Sequence, residues 1–243
     1  MIIAEPAPII LIKSINGASI EFEITFFVET LSALRHAQNE LLDLAYRHLT
    51  AAGIGLAVPE AAAIGRGSTK ERTQAETVLD WVEIFSTLTT AERAMIAASL
   101  KPRSFDRGET LLEAGAVSQS LFIVGSGVLS LTRHDIGEDK EVLRLGPGDH
   151  YGEIGLVTGN PSTATITALT PVTLHELAKD DLARILEGRP EVAHELGCAM
   201  ARRQAAGRST AENAELDHSV PSHRLTSWFT ARIQRLYDID SAA

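Results

Sequence analysis

One stretch of the chain, residues 148 to 165, combines residue types that suit the binding of a small anion. It reads "GDHYGEIGLVTGNPSTAT" and sets Glu153 between Gly152 and Gly155. Glycines at this spacing let the backbone N–H groups of a tight turn point together at an anion. Because the stretch contains no Lys or Arg, backbone amides and hydroxyl groups must supply most of the contacts to an anion bound here.

The region that must position this stretch is a series of short strands punctuated by glycine, between residues 104 and 178. Regular spacing of short strands and turns predicts a β-roll, also called a double-stranded β-helix. Thr89 and Glu92 form a capping-box pattern that predicts a helix before the roll, and Pro102 limits its length. Helical sequence returns after Lys179, with Pro190 near the start of a second segment.

The beginning of the chain predicts a smaller unit. Two strands flank Asn16 and Gly17, and the second alternates apolar and acidic residues, so that only one of its faces is apolar. From Leu31 the apolar period becomes helical and stops at Gly53, and a short apolar strand then ends at Pro59. The order of elements is β-β-α-β.

These patterns predict an α+β protein with two folded parts. The expected divisions are a β-β-α-β unit over residues 1–60, a linker over 61–77, the β-roll with flanking helices over 78–215, and a tail over 216–243. The linker is rich in Gly, Ser and mixed charge. Within the tail, "LTSWFTARIQRLY" predicts one amphipathic helix, which suits a partner, a membrane surface or packing on its own domain.

Composition narrows the classes of function. The 243 residues carry a formal net charge of -10, which repels nucleic acid and anionic membrane surfaces. The single cysteine, Cys198, forms no intramolecular disulfide, and Glu5 with two prolines interrupts any signal peptide. We expect a cytosolic chain without its own membrane span.

Signals for catalysis and for metal binding are weak. The histidines of the roll are single and scattered, without the spacing of a metal site, and Ser126 lies in a predicted hairpin turn instead of a nucleophile elbow. We expect neither an enzyme nor a metal protein. A helix-turn-helix regulator is also disfavoured, because fewer than about 30 residues follow the last long helix.

Read in order, the roll resembles the cyclic nucleotide-binding domain over about 110 residues from Phe85 onward. The resemblance is carried by "FSTLTTAER", "RSFDRGETLLEAGAVSQSLFIVGSGVLSL", "LGPGDHYGEIGLVTGNP" and "KDDLARIL". It implies a regulatory module with cAMP or cGMP as ligand and no other cofactor. The residues that it implies for the ligand site are Gly152, Glu153, Ile154, Gly155, Leu156, Ser162, Thr163 and Ala164.

The resemblance also implies a role for several of these residues. Glu153 accepts a hydrogen bond from the ribose 2′-hydroxyl, the amides of Gly152, Gly155 and Leu156 face the cyclic phosphate, and the Thr163 hydroxyl donates to it. Amides at the start of a helix favour an anion in any case.

The sequence departs from the family pattern at Ser162, where the family has its phosphate-binding arginine. Replacing a charged contact by one neutral hydrogen bond weakens binding by roughly one to two powers of ten. Arg202 and Arg203, on the helix that closes over the base in this family, are candidates to supply charge from the other side. Two interpretations stay open: a sensor that binds through amides and Thr163, or a ligand-independent structural or interaction module.

Residues 6 to 60, ending in "AAGIGLAVPE", are similar to the last part of the cytoplasmic vestibule of small-conductance mechanosensitive channels. This implies a partial ferredoxin-like unit that forms a homo-oligomer. Together the two resemblances imply a channel of that superfamily, with this chain on the cytoplasmic side of the inner membrane and a membrane portion outside it. In such a channel, nucleotide binding moves the C-terminal helix and modulates gating.

Overall fold

The computed structural model describes residues 5–16, 19–56, 73–86, 88–135, 138–187, 189–209 and 222–236. The chain divides into two compact units, Met1–Glu71 and Arg72–Ala243. The division falls inside the range 61–77 that was expected to be a linker. No helix in the described part of the chain is both long and apolar enough to cross a bilayer.

The first unit contains a β-hairpin and a helix. Strands β1 (Ile9–Ile15) and β2 (Ile20–Thr25) pair antiparallel, and helix α1 (Leu34–Ala51) follows a 3₁₀ turn at Leu31–Ala33. These elements confirm the predicted β-β-α order. Residues 54–56 are not in a strand, and the rest of the predicted third strand lies outside the described residues. A ferredoxin-like unit is therefore not established.

One face of the hairpin is apolar along its whole length. The register pairs Ile10 with Ile24, Ile12 with Phe22, and Ile15 with Ile20, because a bulge between Ile12 and Ser14 brings Ile15 onto the same face. Five of these six side chains are exposed within the chain. The predicted alternation of the second strand is confirmed, whereas β1 also carries the exposed Ile9 and Leu11 on the other face of the hairpin.

The second unit is the predicted β-roll with flanking helices, formed by two four-stranded antiparallel sheets. The strands of the first sheet, in spatial order, are β3 (Lys101–Phe105), β10 (Val172–Ala178), β5 (Ser120–Ser126) and β8 (His150–Tyr151). Those of the second are β4 (Thr110–Leu112), β9 (Thr165–Ala168), β6 (Leu129–Asp135) and β7 (Glu138–Leu145). A cluster of apolar side chains that includes Leu129, Ile166 and Leu174 fills the roll.

In the described part of this unit, six α-helices accompany the sheets. They are α2 (Gln74–Leu79), α3 (Thr90–Ser99), α4 (Glu153–Thr158), α5 (Lys179–Leu186), α6 (Pro190–Ser209) and α7 (Ser222–Leu236). The capping box of Thr89 and Glu92 is present as predicted, and α3 ends before Pro102. Helix α2 begins inside the range expected as linker, where Thr73 and Glu76 form a second capping box.

The segment predicted as a tail forms helix α7 and belongs to the core of the second unit. Its Phe229 and Ile233 are buried in the apolar cluster that also contains Leu196 and Met200 of α6, whereas Trp228 is half exposed. The expected amphipathic helix is confirmed, and of the three uses considered for it the structure has packing on its own domain.

Candidate functional site

The glycine-rich turn lies against the segment that leads into β5. Gly152 has φ 94°, and a Cβ at this position would lie 2.3 Å from the carbonyl oxygen of Ser120. A Cβ on Gly155, one turn further along α4, would lie 2.8 Å from the backbone nitrogen of Ser118. Both distances are shorter than real Cβ contacts allow, so α4 touches this segment backbone to backbone. The two glycines permit this approach, and Gly152 also permits the left-handed turn.

Glu153, the first residue of α4, is buried. Its exposed fraction is 2%, although a carboxylate at the start of a helix is more often exposed to water. A carboxylate that leaves water at this depth is costly unless polar groups surround it. The turn therefore holds an acidic group inside the site, where the sequence predicted a partner for a ribose hydroxyl.

The other predicted residues of α4 differ in what they offer. The amide of Leu156, which was expected to face the phosphate, donates to the carbonyl of Gly152 at 3.0 Å inside the helix. The Leu156 side chain packs in the apolar cluster between helices and sheet, with Ile154 against its edge. The amides of Gly152 and Gly155 remain the predicted anion donors, and Leu156 has a packing role.

Residues 162 to 164 are fixed to the turn that follows β4. The amide of Ser162 donates to the carbonyl of Ala116 at 2.7 Å, and the amide of Gly115 donates to the carbonyl of Ser162 at 2.8 Å. The Ser162 hydroxyl donates to the carbonyl of Ala164 at 2.7 Å. Ala164 is buried and Thr163 is exposed. The Ser162 hydroxyl is thus used locally, and Thr163 presents the accessible hydroxyl.

The backbone of the two arginines that were proposed to supply charge lies in helix α6. The side chains of Arg202 and Arg203 lie outside the described residues. That they supply positive charge to the ligand stays a prediction.

An aromatic pair supports the site from inside the roll. Tyr151 of β8, directly before the turn, stacks on Phe122 of β5 with ring centroids 5.0 Å apart and planes at 16°. Burial raises the pKa of the Tyr151 phenol, and the charge of Glu176 adds to the effect. Tyr151 therefore stays neutral at ordinary pH and anchors the start of the turn.

Helix α7 reaches the other end of α4, which the sequence did not predict. Arg232 donates to the carbonyl of Thr158 at 3.0 Å and to that of Val157 at 3.4 Å. Its guanidinium also lies 5.9 Å from the ring centre of Trp228. The last carbonyls of a helix carry partial negative charge, which a cation stabilises. The sequence offers no signal for this contact, because 74 residues separate Arg232 from Thr158.

Nothing in the described part of the chain groups three or more His, Cys, Asp or Glu side chains so that they could hold a metal ion. His175 of β10 is buried, and burial lowers the pKa of its imidazole.

The polar groups of the site are backbone amides, a carboxylate and hydroxyls, which suit the binding of a small polar ligand.

The second unit is an eight-stranded β-sandwich with flanking helices, with the glycine-rich turn and α4 at its edge. Residues 102–189 match the family described as cyclic nucleotide-binding domain. The chain therefore contains a cyclic nucleotide-binding domain, and the matched range includes α4 and residues 162–164. This fold serves binding and regulation and not catalysis.

Curated relatives that match part of this chain include a channel and a kinase regulatory subunit. A cyclic nucleotide-gated potassium channel of Rhizobium etli is 28% identical over 146 residues, which are 58% of this chain and 40% of the channel. A cAMP-dependent protein kinase regulatory subunit of Mycosarcoma maydis is 33% identical over 101 residues, 42% of this chain and 19% of that subunit. The chain thus spans less than half the length of either relative.

Solved structures give similar matches. The N-terminal domain of a transcriptional regulator from Streptomyces coelicolor is 34% identical, with a TM-score of 0.46, and the match covers 58% of this chain and 98% of that domain. The regulatory domain of Toxoplasma gondii PKA, crystallised with cAMP, is 21% identical with a TM-score of 0.48, covering 67% of this chain and 60% of that structure.

Proposed function

We propose that the second unit is a cyclic nucleotide sensor that regulates an ion channel of the mechanosensitive superfamily. The observation that carries the proposal is the turn at Gly152, which holds the buried Glu153 inside a domain of the cyclic nucleotide-binding family. In the proposed complex, Glu153 accepts from the ribose 2′-hydroxyl. The amides of Gly152 and Gly155 and the hydroxyl of Thr163 donate to the cyclic phosphate.

The experiment is a calorimetric titration of cAMP and cGMP into the full chain and into Glu153→Gln. We expect saturable binding to the native chain, which would also give the preference between the two nucleotides. Losing a charged hydrogen bond should weaken binding by about 10- to 150-fold in Glu153→Gln. Glu187→Gln changes an exposed carboxylate at the end of α5 and serves as the control. Equal affinity in Glu153→Gln and the native chain would refute the assigned role.

The second candidate function is a ligand-independent interaction module that kept the fold. It is favoured by Ser162, whose hydroxyl donates to Ala164 and offers no charge to a phosphate. Titrating Ser162→Arg beside the native chain separates the two candidates. Binding in both identifies a sensor, with tighter binding by the variant. Binding in Ser162→Arg alone identifies a module that has lost its ligand, and binding in neither contradicts the proposed site.

The channel context rests on the resemblance of residues 6–60 to a vestibule and on the 28% identity with the channel of Rhizobium etli. We propose that the chain works on the cytoplasmic side of the inner membrane, attached to a channel portion. Nucleotide binding at α4 would change the position of the helices that contact it, among them α7 through Arg232. A ligand biases a channel in this way only if it binds one conformation more tightly than the other.

Self-association is proposed to occur through the apolar face of the hairpin. A two-stranded sheet is marginal by itself, and this face carries Ile12 and Phe22 in direct register. Light scattering coupled to size-exclusion chromatography should find an oligomer. Phe22→Lys should reduce the mass to that of a monomer, whereas Glu23→Lys, on the other face of β2, should not. A native chain that is monomeric at high concentration would contradict this part of the proposal.

A further inference from the structure

Strand β6 carries an arginine on the side of the sheet that faces the interior of the roll. Leu129 is fully buried in the roll core, and Leu131 packs against the same cluster. Ser130 and Thr132 share the opposite face, where their hydroxyls are 3.5 Å apart. Side chains alternate along a strand, so Arg133 follows Leu129 and Leu131 on the interior face.

The register of the second sheet brings Arg133 to the end of the glycine-rich stretch. Leu131 pairs with Ile166 and Thr132 with Thr165. Continued by one residue, the register sets Arg133 opposite Ala164, directly after Ser162 and Thr163. Arg133 thus lies on the same face as the end of residues 148–165, a segment that contains no Lys or Arg.

The neighbouring strand adds a second cation at the same level. Across the β6–β7 pair, Arg133 is the direct partner of Lys140. Like charges directly opposite each other destabilise a sheet. The adjacent pair on the other face, His134 with Asp139, is complementary, with 2.9 Å between Nδ1 and Oδ1. The cross-strand pair of Arg133 and Lys140 therefore joins two like charges, next to a pair of opposite charges.

Within the described residues, neither cation has an ionic partner. Among the side chains that the structure describes, no carboxylate oxygen lies within 4 Å of the Arg133 or Lys140 nitrogens, whereas Arg144 on β7 contacts Glu141 at 2.7 Å. The Nε of Arg133 is buried without a hydrogen-bond partner. A guanidinium nitrogen that has lost water and gained no acceptor is costly, and an anion beside Arg133 and Lys140 would remove both penalties.

We propose that Arg133, assisted by Lys140, supplies the positive charge for the cyclic phosphate of the ligand. The inference rests on the proposed sensor function and extends it, because it assigns the charge to β6 instead of residues 148–165. Arg133 would make the charged hydrogen bonds, and Lys140, which is exposed, would contribute a weaker attraction.

The test compares nucleotides with the corresponding nucleosides, which lack the phosphate. Calorimetry on the full chain uses cAMP, cGMP, adenosine and guanosine. Arg133→Gln should weaken cyclic nucleotide binding by about 10- to 150-fold and leave nucleoside binding unchanged. Lys140→Gln should cost about fivefold or less. Arg144→Gln, which changes a cation on the same strand as Lys140 but already paired with Glu141, should bind like the native chain.

A charge swap strengthens the test. Adding Ser162→Arg to Arg133→Gln should recover nucleotide affinity, since it returns a cation to the same end of the roll. Unchanged nucleotide affinity in Arg133→Gln would overturn the inference. An equal loss for nucleotides and nucleosides would also overturn it, because that pattern means a general disturbance of the pocket.

A native chain that binds no nucleotide would refute the sensor function. The binding of an anion by Arg133 would then be tested separately, with inorganic phosphate. In thermal unfolding at constant ionic strength, millimolar inorganic phosphate should stabilise the native chain more than Arg133→Gln. Without phosphate, Arg133→Gln should be at least as stable as the native chain, because it removes a like-charge pair. Equal stabilisation of both proteins by phosphate, or a less stable variant without phosphate, would overturn the inference in that case.

Discussion

Replacing Gly152 by alanine tests the close contact on which the site is built, and Gly159 provides a matched control. Both residues have positive φ, 94° for Gly152 and 71° for Gly159, and they flank the two ends of α4. A Cβ at Gly152 would lie 2.3 Å from the carbonyl oxygen of Ser120, whereas one at Gly159 would have no heavy atom within 4 Å. The two substitutions therefore share backbone strain and differ in the clash.

The expected magnitudes follow from these two contributions. A left-handed conformation costs a residue with a side chain roughly 1–2 kcal/mol, and overpacking adds about 1–3 kcal/mol. We expect Gly159→Ala to lower the free energy of unfolding by about 1–2 kcal/mol and Gly152→Ala by about 2–5 kcal/mol.

The assay is urea unfolding followed by tryptophan fluorescence. The chain has two tryptophans, Trp81 and Trp228, and both belong to the second unit, so the signal reports on the roll and its helices. Equal losses of stability in Gly152→Ala and Gly159→Ala would refute the reasoning, because the shared strain would then account for the whole effect.

Three further predictions concern ionisable groups of the second unit. The Arg189 guanidinium beside Glu92 holds the pKa of that carboxyl at about 2, below its usual 4.5. The native chain should therefore lose stability as the pH falls from 4.5 towards 2. In acid titrations, Glu92→Gln should lose less stability over that range. Burial lowers the pKa of His175 from 6.5, so stability should decline as pH drops below 6.5, and His175→Leu should reduce this slope in thermal melts. Arg232→Gln should lower the free energy of unfolding by about 1 kcal/mol, since it removes the contact to the Thr158 carbonyl. An unchanged denaturation midpoint in that variant would mean that the contact does not contribute.

Elements with local signals were predictable from the sequence. The hairpin around Asn16, the helix that ends before Gly53 and the capping box of Thr89 and Glu92 each depend on residues a few positions apart. The roll was predictable as a class because its strands are short and separated by turns. The predicted start of the second domain at residue 78 is four residues later than α2, since Thr73 and Glu76 form a capping box in a stretch that otherwise has linker composition.

Contacts between distant segments were not predictable in the same way. The burial of Glu153 depends on how closely Gly152 and Gly155 approach Ser118, and one sequence does not give that distance. The contact of Arg232 with α4 joins residues 74 positions apart. The neighbours of Arg133 follow from the register of three strands, and the β6–β7 register shifts between Leu131 and Thr132. A count outward from the turn pairs Arg133 with Lys140, but it does not show which face of the sheet they occupy.

The position of a charge in a roll is set by strand pairing and not by order in the sequence. β6 and β9 are neighbours, so a cation on Arg133 and a cation at position 162, three residues before β9, would approach the same end of the roll from two different segments. A ligand phosphate would receive similar electrostatic stabilisation from either one. The absence of an arginine between residues 148 and 165 therefore does not by itself predict lost binding. In this chain the decisive comparison is between Arg133→Gln and its combination with Ser162→Arg, because recovery of nucleotide affinity in the double variant would show that the two positions serve one anion.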